Sequence, residues 1–423
     1  MKTLTSGAAL LALSTTTAFA AGLDRSGQSV AAVFAPGGTT SLSFGVVVPQ
    51  VTGKDIGGSG GSYDDSVGQT YGQVGISYTH NINEKSSFAL IIDQPYGADV
   101  EYGTSPLTSN LGGTSADLDS LALTAVARYK VSDRFSVFGG VSAQRITASV
   151  ALNGTAYRDA VAVSGVAEAA GVDSGVLGAA LQGDSASVVA LGGPATVGAL
   201  GAQVASVAGA FAATGGYNFD MDESTEAHYL IGAAYEIPDI ALRIAGTYHF
   251  ETEHKADTTE SLLTGTPLSR SQNSTVEFVT PQSFNLEAQT GIAPGTLLTA
   301  SWRWTEFSAV DIVPTGLGRD LVNIDDSNRY TLGVARQFSD KLAGSVTLSY
   351  EPEGDDLVSP LGPTNGLKGI SVGGRWTDGP LNISGGINYS ILGDAKPAVG
   401  DMAVAEFTDN HAVGVGFKID MKF

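Results

Sequence analysis

The chain has no cysteine among its 423 residues. That excludes a disulfide scaffold, thiolate zinc sites, iron-sulfur clusters and every cysteine nucleophile. Basic side chains are scarce: 22 Lys and Arg against 43 Asp and Glu give a formal net charge of −21. A phosphate backbone needs clustered cations, so nucleic acid is not an expected partner. Charge of either sign is thin, at 15% of residues, while 43% are hydrophobic and the mean hydropathy is +0.11. Such a chain is too apolar for disorder and low in charge for a soluble protein. Yet no uninterrupted apolar run reaches the roughly 18 residues of a membrane helix, which excludes a helical membrane protein. What remains is a large all-β chain, with a transmembrane barrel as the architecture that dilutes a lipid face by alternation with polar residues.

Both ends carry addresses. Lys2, the apolar Ala8 to Leu13 and the small-residue site Ala18-Phe19-Ala20 form a three-part signal peptide over residues 1–20, with a mature chain starting at Ala21. At the other end Val413, Val415, Phe417, Ile419, Met421 and Phe423 alternate with Ala412, Gly414, Gly416, Lys418, Asp420 and Lys422. One face is apolar and the other polar, as a last barrel strand between lipid and lumen requires. The terminal Phe423 is similar to the signal that bacterial barrel-assembly machinery recognises.

Alternation and turn chemistry predict fourteen strands, near 39–52, 67–80, 85–96, 118–131, 134–149, 226–237, 240–255, 274–291, 296–311, 326–338, 341–352, 367–378, 381–395 and 407–423. Tight turns such as Ser132-Asp133, Pro238-Asp239 and Ser339-Asp340 alternate with long connections rich in Gly, Pro, Asp and Ser. Short periplasmic turns, long external loops and an even count are the pattern of an outer-membrane barrel of a Gram-negative bacterium. Parity puts Trp302, Trp304, Trp376, Tyr129 and Tyr248 on the lipid face, several near strand ends where an aromatic girdle belongs. The longest connection, 150–225, is dominated by Ala, Gly, Val and Ser, and the helical spacing of Val197, Leu200, Val204, Val207 and Phe211 predicts one short amphipathic helix there.

Catalytic chemistry finds little support. None of His80, His228, His249, His254 and His411 belongs to an HExxH motif or a metal-ligand cluster, and no GxSxG or Walker sequence is convincing. His249 and His254 flank Glu251 and Glu253, which reads as a solvated strand end ahead of a metal site. The acidic doublets Asp64-Asp65, Asp325-Asp326 and Asp355-Asp356 fall on external loops, where cation bridges to lipopolysaccharide are conceivable and a solvated charge run is the default. No catalytic residue, metal or cofactor is expected.

Several segments carry a resemblance. Ser87-Phe88-Ala89-Leu90 followed by Asp93-Gln94-Pro95-Tyr96-Gly97-Ala98-Asp99-Val100-Glu101-Tyr102, the stretch from Asp117-Leu118 through Arg128-Tyr129 to Phe135-Ser136-Val137, Thr280-Pro281-Gln282-Ser283-Phe284, Trp304-Thr305-Glu306-Phe307 and Arg329-Tyr330-Thr331-Leu332-Gly333-Val334 stand in the order and spacing of one family. So do Ala21-Gly22-Leu23 and Arg25-Ser26-Gly27-Gln28 at the mature start. Together they resemble the FadL family of outer-membrane long-chain fatty-acid transporters. The resemblance implies a fourteen-stranded barrel, a luminal plug formed by the N-terminal segment, apolar loop helices that dock ligand outside the cell, and a kinked third strand that opens the wall.

The expected function is passive transport of long-chain fatty acids or similar hydrophobic compounds. A general diffusion porin and a surface adhesin barrel are the alternatives. Residues 21–38 are expected to plug and gate the lumen through Arg25, Gln28, Val30, Val33 and Phe34, an apolar set costly to leave in water. Val204, Val207 and Phe211 either line an outer docking groove or pack a cap over the mouth. Inward parity makes Arg128, Arg243, Arg303, Arg329 and Arg375 candidates for holding a ligand carboxylate, in competition with lumen acids such as Glu351 and Glu251. Pro95 lacks an N–H and Gly97 a side chain, so the third strand should break at Pro95-Tyr96-Gly97 and release ligand sideways.

Overall fold

The computed structural model describes residues 23–57, 60–263, 269–400 and 402–423. The expected signal peptide, residues 1–20, lies outside the described residues. Seventeen hydrogen-bonded segments form one antiparallel sheet, and because three strands are broken in two they make fourteen strands. These are β1 (Thr39–Gln50), β2 (Tyr71–Asn81), β3 (Ser86–Asp93 and Gly97–Glu101), β4 (Ser115–Lys130), β5 (Phe135–Leu152), β6 (Tyr217–Ile237), β7 (Leu242–His249 and Thr252–Leu262) and β8 (Arg270–Thr280 and Ser283–Ala293). They continue with β9 (Thr296–Thr305), β10 (Ser327–Gln337), β11 (Leu342–Glu351), β12 (Leu367–Asp378), β13 (Leu381–Leu392) and β14 (His411–Lys422). The sheet closes on itself, with β1 paired to β14 in unbroken register from Thr39↔Lys422 to Gln50↔His411. Closure leaves the sheet no free edge strand, which a bilayer demands because its core offers no water to a row of orphan N–H groups.

The alternation in sequence becomes a two-faced wall. Val413, Val415, Phe417 and Ile419 of β14 stand exposed beside Ile387 and Tyr389 of β13, while Asn388, Ser390 and Asp420 are buried on the lumen side. Tyr129, Phe135, Trp376 and Tyr330 join this outer apolar band. Short turns gather at one end of the barrel and long connections at the other. At the short-turn end the Phe423 N–H donates to the Gly38 carbonyl at 2.9 Å, so the start of β1 and the end of β14 are clasped together.

Several boundaries differ from expectation. β6 begins at Tyr217, β7 runs to Leu262 and β8 starts at Arg270, well past the expected ends. The extension of β7 is polar on both faces, so no apolar period marks it, while that of β6 alternates buried Tyr217, Phe219 and Met221 with Asn218, Asp220 and Asp222 over a short run. β9 stops at Thr305, and β14 starts at His411. Residues 405–407 instead pair with Gly53–Asp55, whose other edge pairs with Ser62–Tyr63, in a small sheet over the long-loop end.

The connection between β5 and β6 holds four helices, not the single one expected: α1 (Thr155–Ala170), α2 (Ser174–Leu181), α3 (Ser185–Ala190) and α4 (Pro194–Ala213). Side-chain caps at Asp173 and Asp184 start α2 and α3, and Pro194 occupies the first turn of α4, where its missing N–H costs nothing. By length and composition α4 is apolar enough to cross a membrane. It contains the helix expected from Val197 to Phe211, while its Gly, Thr, Ser and Gln interrupt any pure apolar run and hide its overall apolarity; α1, α2 and α3 were not anticipated. Val166, Ala167, Leu177 and Leu200 form a core among the helices, against which Val204 and Val207 pack.

Candidate functional site

Three layers fill the barrel. At the short-turn end, Val30 and Val33 of the N-terminal segment are buried against Ala89, Val126, Phe138, Leu230 and Ala245. Phe34 makes an edge-on contact with Phe138, centroids 5.6 Å apart, and lies between two guanidinium groups: Arg128 at 4.6 Å and Arg243 at 4.5 Å from its ring centroid. A ring between two cations satisfies their flat faces where water is scarce.

The middle layer is polar. Arg303 donates from Nε to Asp24 Oδ2 at 2.6 Å, from Nη1 to Ser283 at 3.1 Å and Asn285 at 2.8 Å, and from Nη2 to Gln28 Oε1 at 3.1 Å. Ser26 donates to Asp93 at 2.5 Å. Beside this network lies a chamber of about 340 Å³, its open mouth included, whose polar lining comes from Gln28, Asp93, Thr124, Gln144, His228 and His249. The His228 and His249 rings stack at 5.4 Å with Nε2 and Nδ1 3.1 Å apart, and His254 stacks on Phe278 at 5.2 Å. The expectation of a solvated strand end for His249 and His254 is therefore corrected: both are buried on the lumen face of β7. Among the described residues no group of three or more His, Cys, Asp or Glu could hold a metal ion.

Toward the long-loop end the lumen turns apolar. A cavity of about 780 Å³, its mouth included, is walled by Tyr96 of β3, Leu118 of β4, Ile146 and Val150 of β5, Phe219 of β6 and Phe278 of β8. Its roof is the connection 306–326, which contributes Phe307, Val310, Ile312 and Leu321. Glu260 fixes that connection by accepting from the Gly316 N–H at 2.9 Å and the Leu317 N–H at 3.0 Å, and Asp320 does so by accepting from Ile312 at 2.9 Å and Val322 at 3.0 Å. Among the described residues no Lys or Arg lines the cavity; Asp117, Thr280 and Ser359 are the main polar members. Sequence reading missed the roof because these residues sit in a connection without period, and it extended a strand to residue 311. The apolar spacing of Phe307, Val310, Ile312, Leu321 and Ile324 within a turn-rich loop was the available signal.

The five arginines proposed from parity do face the lumen, but none lines the apolar cavity. Arg303 is bound as above. Arg128 pairs with Glu236 and donates to Ser136 at 3.0 Å, Arg243 donates to Gln289 at 3.1 Å, and Arg329 pairs with Glu351 at 3.3 Å. Arg375 is half-buried on β12 opposite Ser384. Arg128, Arg303 and Arg329 each meet a lumen acid and Arg243 a lumen amide, as a buried charge requires. Val204 and Val207 pack into the helical core, and Phe211 is buried in the apolar cluster over the barrel mouth.

The third strand is broken where proline interrupts it. Ser86–Asp93 and Gly97–Glu101 are separate segments, with Tyr96 turned inward against Phe307, ring centroids 6.3 Å apart. Leu23, Asp24 and Arg25 lie along the break: the Arg25 N–H donates to Pro95 O at 2.9 Å and the Gly97 N–H to Leu23 O at 3.0 Å.

The outer membrane protein transport protein family (OMPP1/FadL/TodX) matches residues 41–396. The chain belongs to this family. It is a β-barrel transporter of hydrophobic compounds in the outer membrane of a Gram-negative bacterium and not an enzyme. No curated protein sequence matches it. Among solved structures, a Pseudomonas aeruginosa FadL homologue shares 14% identity with a TM-score of 0.67, covering 93% of this chain and 92% of that one. The Pseudomonas putida toluene transporter TodX shares 14% with a TM-score of 0.60, covering 99% and 95%, and the Ralstonia pickettii toluene transporter TbuX 13% with 0.55, covering 92% and 90%. At such identities the likeness is one of fold.

Proposed function

We propose that the transporter takes uncharged hydrophobic molecules from outside the cell into the apolar cavity and releases them sideways through the broken third strand. The observation that carries this reading is the order of the layers. An apolar solute leaves water readily for a cavity lined almost wholly by carbon. To continue straight down it would have to displace the Arg303-Asp24-Gln28 network and leave buried polar groups unpaired, at a cost of about 1–3 kcal/mol each. The break at Pro95-Tyr96-Gly97 borders the cavity directly, so the sideways route bypasses that network. Residues 23–38 then act as plug and gate, with Arg25 and Gln28 in the polar layer and Val30, Val33 and Phe34 below it.

Ligand class follows from the same cavity. Without a lining cation it favours neutral hydrocarbons, and a long-chain fatty acid is the finer alternative, its tail in the cavity and its carboxylate at the mouth. The toluene transporters among the structural relatives fit the first choice. Phe423, 82% exposed at the barrel's short-turn end, stands available to assembly machinery.

Uptake by liposomes holding the purified full chain tests the reading, with a labelled neutral aromatic hydrocarbon, a labelled long-chain fatty acid and a small sugar compared. Selective entry of the hydrocarbon supports it. Equal entry of the sugar would establish a diffusion porin, and entry of none of them a structural or adhesive barrel.

A further inference from the structure

The seam between β2 and β3 is closed by a side chain over part of its length. The two strands pair only from Ile76↔Ile92 to Asn81↔Ser87. Beyond that point residues 71–75 of β2 keep their ladder with β1 but have no strand partner on the other edge among the described residues. The Gln94 side chain accepts from the Val74 N–H at 3.1 Å, and farther out the ladder resumes as Gln69 N–H to Asp99 O at 2.9 Å and Glu101 N–H to Val67 O at 2.8 Å.

Arg25 occupies the interval. Its guanidinium lies over the Tyr71 ring at 4.1 Å and donates from Nη2 to Asp99 at 2.7 Å, with only 5% of the side chain exposed. It rests on the bare backbone of Gly97, where a Cβ would come within 2.3 to 2.7 Å of its Nε, Cζ and Nη1 atoms. Each contact uses a different property of the group: a flat face for the ring, a directed N–H for the carboxylate, and thinness for the glycine. Tyr71 belongs to β2 while Asp99 and Gly97 belong to β3, so one guanidinium bridges both lips of the gap.

We propose that Arg25 is the latch that holds this opening in the barrel wall shut. The inference rests on the lateral-exit reading and adds to it a named residue that controls the opening. Release of Arg25 from Asp99 and Tyr71 parts the two lips; no ladder hydrogen bond has to break between residues 71–75 and 94–98. Gly97 is required in the closed state because any side chain would expel the guanidinium.

The test reads the opening and the transport separately. Ala98, buried at the gap, is replaced by cysteine in this otherwise cysteine-free chain, and the protein is reconstituted with a phospholipid carrying a maleimide on its acyl chain. Such a reagent reaches position 98 only through the wall. Arg25→Ala should speed labelling about tenfold, the factor that about 1.4 kcal/mol of barrier represents. Gly97→Ala, which leaves Arg25 present but displaced, should do the same and serves if Arg25→Ala fails to assemble. Unchanged labelling in the assembled variants overturns the latch whatever uptake does. Faster labelling with unchanged hydrocarbon uptake leaves the latch standing and overturns lateral exit.

Discussion

Arg303 of β9 and Asp24 of the N-terminal segment form a buried ion pair across the lumen, Nε to Oδ2 at 2.6 Å, with 9% and 2% of their side chains exposed. Their sequence separation makes this the electrostatic anchor of the plug. Arg303→Ala leaves the Asp24 carboxylate buried without its cation, which costs about 3–5 kcal/mol in comparable buried pairs. The segment should undock, raising ion conductance in a planar bilayer and exposing residues 23–38 to protease. An additional Asp24→Asn change should restore part of the closed state by removing the stranded charge.

Removing the plug altogether gives the upper limit of that effect. Deletion of residues 23–34 should open a path for ions and small polar solutes through the barrel. Conductance equal to that of the intact protein would show that the lumen is sealed without it.

Filling the cavity should abolish uptake without harming the wall. Ala148 lines the cavity on β5. Ala148→Phe places a ring in space the ligand needs, and hydrocarbon affinity should fall at least about tenfold, the equivalent of roughly 1.4 kcal/mol. Heat-modifiable mobility on a gel should remain that of a folded barrel.

Single replacements of Arg128, Arg243, Arg329 and Arg375 by Ala should leave neutral-hydrocarbon affinity within about twofold, since none lines the cavity. A selective loss of fatty-acid affinity in any one of them, measured by fluorescence displacement, would revive a carboxylate-binding role for that residue.

Asp320 gives a pH dependence outside the membrane-spanning strands. Burial, with the Asp311 charge adding, pushes its carboxyl above the ordinary aspartate range, against the opposing backbone hydrogen bonds from Val322, Ile312 and Leu321. A raised folded-state pKa means that the folded loop holds a proton the unfolded loop has already lost. This group's contribution is therefore most favourable at low pH and declines as pH rises through the shifted value. Protection against hydrogen exchange across 307–324, corrected for the intrinsic pH dependence of amide exchange, should be greater near pH 4 than at pH 7 for the parent chain. Asp320→Asn should remove this group's part of the difference.

The wall was legible in the sequence and most of the site was not. In β13 and β14 lipid demands carbon on one face, and the alternation of Ile383, Ile387 and Tyr389, or of Val413, Val415 and Phe417, records that demand residue by residue. The outer part of β7 has no lipid on its outer face, and its inner face carries Thr258 and Glu260, whose buried side chains hydrogen-bond across the lumen, so these residues carry no mark of being strand residues. Break and plug could be anticipated because Pro95 and the Val30-Val33-Phe34 set violate what their surroundings would otherwise prefer. Charge type, by contrast, does not encode a partner: Arg303 and Arg329 share their lumen parity, yet Asp24 engages one and Glu351 the other. Only the closed barrel brings such distant positions together.

The clasp between Gly38 and Phe423 links the mouth of the plug to the last residue of the last strand. The segment before β1 and the end of β14 are therefore fixed by one event, the docking of the final strand onto the first. The ring that seats Val30 and Val33 is carried by β3 to β7 alone, so the clasp ties the end of the segment to barrel closure while its apolar turn rests on strands that need no closure to meet.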